Sequence, residues 1–283
     1  MEITLWGTRG SIAAPGPETV IFGGNTTCVE VTLSSGRCII IDAGTGIRRL
    51  GDALMARGDE LDLVLLMTHI HWDHVLGIPF FGPIFRESTH MVVDGFTRGM
   101  QGLKRVFSER LVDGTWPVRF DDLSARIEPG HVLSKSPMEL DDTLIQSHRL
   151  QHPQGGVGFR FTENHTSFVF LTDNELRHDG WVGTCLDDFV GFCRDADLLI
   201  HDCQYLPEEM EIRSGWGHSD LESVARLAVE AGVKCLILCH HDPWRTDEGV
   251  VKIIERCRGV MDRSGVSIPV DGARENTTFH LRG

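Results

Sequence analysis

The chain has 283 residues, 41% hydrophobic and 24% charged, a globular composition too apolar for disorder and too short for two full enzyme domains. Its 27 Lys and Arg against 41 Asp and Glu give a net charge of −14, which repels a polyphosphate backbone and argues against a general nucleic-acid binder. No apolar run approaches the roughly 20 residues that cross a bilayer, and Met1-Glu2-Ile3-Thr4-Leu5-Trp6 already alternates like a strand, unlike a secretory signal. A cytoplasmic protein without a membrane span is expected. The eight cysteines show no Cys-x-x-Cys spacing and read as reduced thiols without a metal.

In chain order, Cys28–Leu33 alternates, Ser34-Ser35-Gly36-Arg37 supplies a turn, and Cys38–Ile41 is a continuous apolar run, together a hairpin with a buried second strand. Asp42-Ala43-Gly44-Thr45-Gly46 then leads into a helix from Ile47 to about Ala56. Leu61–Met67 is another buried strand and stops at a polar run rich in histidine. Residues 84–130 read less regularly, with a short strand near Met91–Val93 and a helix near Arg98–Arg110, as an insertion or lid would. Strands return at Thr143–Ser147, Val157–Thr162 and Ser167–Leu171. Helix Leu186–Cys193, strand Leu198–Ile200, helix Leu221–Ala231, strand Cys235–Leu238 and helix Asp247–Asp262 follow. Strands and then mixed αβ, twice over, predict two mixed sheets packed face to face with helices outside. The fold expected is a four-layer α/β/β/α sandwich in one domain spanning 1–283.

Thr68-His69-Ile70-His71-Trp72-Asp73-His74 is the most informative stretch. Three histidines and an aspartate directly after a buried strand place several metal-ligand types at one rigid strand end. Alternation puts His69 and His71 on one side, and the following turn lets Asp73 and His74 face a second ion. Further candidates recur at strand ends: His152 in Leu150-Gln151-His152-Pro153, Asp173 in Leu171-Thr172-Asp173-Asn174, and His240 closing Leu236–His240. Taken singly each reads as a turn former or cap; together they point to a metal centre.

This pattern resembles the metallo-β-lactamase-fold hydrolases, whose metal motifs are matched in order by His-x-His-x-Asp-His, the Asp42 strand end, His152, Asp173 and His240. The resemblance implies that His69, His71 and His152 hold one divalent ion and Asp73, His74 and His240 another, with Asp173 bridging. It implies that Asp42 orients a ligand histidine. The ions implied are zinc, with manganese or iron as alternatives. Asp197-Leu198-Leu199-Ile200-His201-Asp202 followed by Gly215-Trp216-Gly217-His218-Ser219 is similar to the phosphodiesterase and ribonuclease Z-like branch, in which the histidine protonates a leaving alkoxide and the acidic residue orients it. The catalytic set implied is Asp73, His218 and Asp202. The competing reading makes His218 part of the cap of the Leu221 helix, beside Ser219 and Asp220.

The opening Leu5-Trp6-Gly7-Thr8-Arg9-Gly10-Ser11, with Gly23-Gly24-Asn25-Thr26-Thr27-Cys28, is also similar to small intracellular members, and its glycines suggest backbone N–H groups for a phosphate. The chain departs from the transfer-RNA-processing members, because His152 to Asp173 leaves no room for their basic, glycine-rich RNA-binding arm. It departs also from the phosphonate-pathway cyclic phosphodiesterase, whose cysteine-rich zinc site it lacks. The function expected is therefore hydrolysis of a small or cyclic phosphodiester, with no long nucleic acid as partner and a homodimer as one open assembly. Trp116 would offer an aromatic wall to a base or a core contact, and His241 would be a loop or substrate-facing residue. Hydrolysis of a thioester, lactone or other acyl bond is the alternative, and a metal-loaded ligand-binding or sensory protein a further one.

Overall fold

The computed structural model describes residues 1–107, 117–130, 137–176 and 185–283. Fourteen strands are described: β1 (Glu2–Gly7), β2 (Cys28–Thr32), β3 (Cys38–Ile41), β4 (Leu61–Met67), β5 (Thr89–Gly95), β6 (Arg126–Pro129), β7 (Met138–Leu140), β8 (Thr143–Arg149), β9 (Val157–Glu163), β10 (Thr166–Leu171), β11 (Leu198–Asp202), β12 (Leu236–Cys239), β13 (Val270–Gly272) and β14 (Thr278–His280). One sheet has the order β14-β1-β2-β3-β4-β5-β6 and the other β13-β12-β11-β10-β9-β8-β7. Both are mixed. β3 to β6 run parallel in the first sheet and β10 to β13 in the second, while the remaining neighbours are antiparallel.

The continuous apolar runs are alternating stripes that serve two cores at once. Ile39, Ile41, Val64 and Leu66 of the first sheet meet Phe159, Phe161, Phe168, Phe170, Leu198 and Ile200 of the second in one cluster between the sheets. Ile40, Leu63, Leu65 and Met67 point the other way, against helices α1 (Ile47–Arg57) and α3 (Gly99–Val106); α2 (Trp72–Val75) is the single turn carrying Asp73 and His74. Val169, Leu171, Leu199, Leu236 and Leu238 face α4 (Leu186–Cys193), α6 (Leu221–Ala231) and α7 (Asp247–Arg263), with the short α5 (Met210–Arg213) between. The result is the expected α/β/β/α order of layers.

Sequence signals set the helix ends. Asp220 caps α6 by accepting from Glu222 N and Ser223 N, and Gly232 ends it at φ 66°. The Thr246 side chain accepts from Gly249 N at the start of α7. The segment 84–130 contributes β5 and β6 to the first sheet, where β5 pairs with β4 along its whole length. Trp116 lies outside the described residues, as does the end of the helix expected near Arg98–Arg110. Among the described residues no helix is long and apolar enough to cross a membrane.

The stacked pair Phe161 and Phe168, with ring centroids 5.7 Å apart, lies at the centre of the layer between the sheets. Phe168→Ala is expected to destabilise the fold by about 3–5 kcal/mol through the cavity it leaves. Val251→Ala, on the exposed side of α7, should change stability by less than about 0.5 kcal/mol. Urea unfolding of the two variants measures the contrast.

Candidate metal centre

The site forms where the parallel strands end. Asp42 follows β3, the His69–His74 run follows β4, Asp173 follows β10, Asp202 closes β11 and His240 follows β12, while His152 lies on the loop after β8. Asp42, Asp173 and His240 have φ of 61°, 53° and 57°, a left-handed geometry that costs non-glycine residues about 1–3 kcal/mol each and clusters at functional sites. That sharp turn directs a side chain off each strand end into the cleft.

Two groups result. One ligand atom each from His69, His71 and His152 lies within 4.8 Å of the others, and the same holds for Asp73, His74, Asp173 and His240. His71 Nδ1 and His152 Nε2 are 3.1 Å apart. Asp173 joins the groups: its Oδ1 is 3.7 Å from His69 Nε2 and 3.9 Å from His152 Nε2, and its Oδ2 is 3.2 Å from both His74 Nε2 and His240 Nε2. All seven metal-ligand candidates read from the sequence are therefore brought together.

Four of the five rings are held by the other nitrogen, whereas His240 Nδ1 is buried without a hydrogen-bond partner. His74 Nδ1 donates to Asp42 Oδ2 at 2.8 Å, and Asp42 also accepts from Thr68 N and Thr68 Oγ1. Thr68 Oγ1 lies 3.1 Å from His69 Nδ1, Gly217 O accepts from His152 Nδ1 at 3.1 Å, and Gln154 Oε1 is 3.2 Å from His71 Nε2. Such partners fix tautomer and ring orientation, leaving the inward nitrogen as an electron-pair donor. His69 Nε2 and His74 Nε2 are buried without a hydrogen-bond partner, a loss of about 1–3 kcal/mol each that a bound cation removes. The residues present thus fit a metal ion in each group.

Electrostatics point the same way. Burial drives His69 well below the usual imidazole range, helped by the like charge of His74, and lowers His152 to about 4. At His74 burial is outweighed by Asp73, Asp173 and Asp42, which raise it well above that range. At His240 burial is outweighed chiefly by Asp173, and the ring rises to about 9. Asp73 and Asp173 are held well below the carboxylate range, burial being overcome at Asp73 first by His74 and at Asp173 first by His240. Buried carboxylates here are balanced by protons on His74 and His240, and a cation that takes those nitrogens displaces the protons.

Asp202 and His218 lie beside this centre. His218 Nδ1 donates to Asp202 Oδ2 at 2.6 Å, and its ring stacks on His240 with centroids 4.9 Å apart. Asp202 Oδ1 accepts from Ser219 N and Gln204 N. Asp220 caps α6, so His218 lies two residues before the helix cap as well as against Asp202 and His240.

One expectation is corrected, and of the two readings of His241 the loop one holds. The amides of Thr8, Arg9, Gly10 and Ser11 donate to Asn25 O, Asn25 O, His241 O and Asp73 Oδ2, so this turn braces Asp73 and these four N–H groups are not left for a phosphate. A Cβ at Gly10 would sit 2.5 Å from His240 Nδ1, which explains the glycine there. His241 faces no substrate: it is buried, edge-on to Phe22, and its Nε2 donates to Ala273 O. None of the eight cysteines joins a metal-ligating group among the described residues. Sequence reasoning missed Thr68, Gln154, Asn174 and Glu175, although Asn174 and Glu175 directly follow Asp173.

Asp42→Asn tests the built-in orientation of His74, because the amide keeps the shape and loses the charge that accepts from both Thr68 and His74. Zinc affinity, read by competition with a chromophoric chelator, should fall about 10–100-fold. An unchanged affinity would remove Asp42 from that role.

Known proteins share this fold. The family model for the beta-lactamase superfamily domain matches residues 37–241. An uncharacterized protein of Mycobacterium tuberculosis is 27% identical over 262 residues, covering 89% of this chain and 84% of its own length. A ribonuclease Z of Haloarcula marismortui is 24% identical over 324 residues, covering 99% and 97%. The crystal structure of unliganded yeast PDE1 superimposes with a TM-score of 0.71 at 14% identity, covering 99% of each chain, a likeness of fold alone. With the matched span taking in the His-x-His-x-Asp-His run, Asp173 and His240, the chain belongs to the beta-lactamase superfamily domain family and has the metallo-β-lactamase fold.

Proposed function

We propose that the protein is a dinuclear metal-dependent phosphodiesterase acting on a small or cyclic phosphodiester. His69, His71 and His152 hold one divalent ion, Asp73, His74 and His240 the other, and Asp173 lies between them. The imidazole and carboxylate donors suit zinc, with manganese or iron as alternatives. Bound there, the ions supply Lewis acidity and make water nucleophilic near neutral pH.

The single observation that carries the phosphodiester reading is the Asp202–His218 pair, placed against the ligand His240. An alkoxide leaving a phosphodiester needs a proton, whereas a thiolate leaving a thioester, with a pKa of about 8.5, does not. Asp202 fixes the ring through Nδ1, so His218 Nε2 is the atom that carries the proton. Asp202 is itself held by the Ser219 and Gln204 amides. Asp73 is held by the Ser11 amide at 2.8 Å, which fixes the ligand carboxylate before any substrate arrives.

Two observations support a small substrate over the long RNA suggested by the relatives named ribonuclease Z. β9 and β10 are joined by Asn164-His165 alone, both at positive φ as a tight hairpin turn requires, and no RNA-gripping arm is inserted there. The net charge of −14 opposes a long polyanion. Trp72 lies between His71 and Asp73, and Trp216 lies two residues before His218; they are 61% and 59% exposed. Exposed indoles this near the site residues in sequence suit a diester carrying a planar apolar group such as a nucleobase.

His218→Ala is expected to keep both metals and lose about 10²-fold to 10⁴-fold in turnover of an alkyl diester. A nitrophenyl diester, whose leaving group needs little protonation, should be affected far less. Asp202→Asn should show the same contrast more mildly. Steady-state rates on the two substrates decide the matter, and equal losses on both would take His218 out of proton donation.

A further inference from the structure

Glu175 is a fully buried carboxylate two residues after Asp173, and none of the roles above uses it. Among the described residues no Lys, Arg or His pairs with it. Its charge is instead met by one loop: Gly215 N donates to Oε1 at 2.8 Å and to Oε2 at 3.0 Å, Gly217 N donates to Oε2 at 2.8 Å, and Ser214 Oγ lies 3.4 Å from Oε1. Gly215 and Gly217 have φ of 86° and 90°, which turns both amides toward the same side. This is an anion-binding nest whose anion belongs to the chain.

The loop so held touches the centre at two points. Gly217 O accepts from His152 Nδ1 at 3.1 Å, and a Cβ at Gly217 would sit 2.0 Å from that nitrogen. The next residue is His218, bonded to Asp202. On its own side, Glu175 N donates to Gln151 O, and Gln151 N donates to Asn174 Oδ1, so the loop carrying His152 is tied to the strand end carrying Asp173.

We propose that Glu175 is a positioning residue that sets the ligand nitrogen of His152 and the proton-donating ring of His218 in register through the Ser214–Gly217 loop. One buried charge thereby aligns a metal ligand and an acid that lie on different elements. The second half of this assignment rests on the reading of His218 given above; the first half does not.

Glu175→Gln places an NH₂ group against the Gly215 N–H while keeping the shape. Metal affinity of the full chain, measured with zinc and a competing chromophoric chelator, should fall about 10-fold, within the range seen when partners of a ligand histidine are lost. The ratio of alkyl-diester to aryl-diester turnover in the zinc-loaded variant should fall in the same direction as in His218→Ala, by less. Glu175→Asp, which keeps the charge and draws it back by one methylene from the Gly215 and Gly217 amides, should show both losses more mildly. Thermal unfolding of the variants identifies any that fails to fold, and the other then carries the test. Unchanged affinity together with an unchanged ratio in a folded variant would overturn the proposal and leave Glu175 a loop anchor. Should His218→Ala itself leave the ratio unaltered, the proton-donor reading fails, whereas the affinity measurement still decides the role of Glu175 toward His152.

Discussion

Asp173 turns its two carboxylate oxygens toward opposite groups of imidazoles, and much of the architecture is what keeps it there. It sits 2% exposed at the end of β10 in a left-handed backbone conformation, with Thr172 Oγ1 donating to it at 2.7 Å. β10 lies at the point in its sheet where pairing changes from antiparallel to parallel. In the first sheet the same change occurs at β3, which ends at Asp42. The two sheets thus deliver a buried carboxylate each from equivalent places, one facing the ligands and one standing behind His74.

Gathering Asp42, Asp73, Asp173 and Asp202 in a space where none is more than 6% exposed concentrates negative charge that the rest of the chain must offset. Burial raises Asp42 above its ordinary carboxylate value, and His74 and Thr68 work against that. Protonation of His74 and His240 is the answer that the side chains themselves supply. Rigid partners surround the whole: Thr68, Gly217 O, Gln154, the Ser11 amide and Glu175 each hold a side chain or loop that would otherwise be free to rotate. Such preorganisation favours chemistry that needs donors fixed to within a fraction of an ångström.

Much of this was legible in the sequence, for a physical reason. Four of the candidate ligands fall within six residues, and the rest sit at the ends of apolar runs, where residue type alone marks a strand giving way to a polar turn. Layer order followed from the succession of elements, strands and then mixed αβ, twice over, with Cys38–Ile41 and Leu61–Met67 as continuous apolar runs of buried-strand type. Edge strands were harder to see: β6 is Arg-Ile-Glu-Pro, half its residues charged, and β13 and β14 have three residues each. β5 was underestimated because its polar Thr89, His90 and Asp94 interrupt the apolar pattern of a strand that pairs with β4 over seven residues. The opening glycine turn was misread since its composition suits a phosphate cradle equally well, and only the folded chain shows its amides already used. Glu175 escaped notice because its partners lie 40 and 42 residues away, and nothing local announces them.

Anomalous diffraction from crystals of the zinc-loaded protein tests the central claim most directly, since it counts and places the ions without reference to any substrate. The account predicts two peaks, one against His69, His71 and His152 and the other against Asp73, His74 and His240, with an Asp173 oxygen on each. A single peak that excess zinc does not turn into two, or an Asp173 that contacts only one ion, would contradict it.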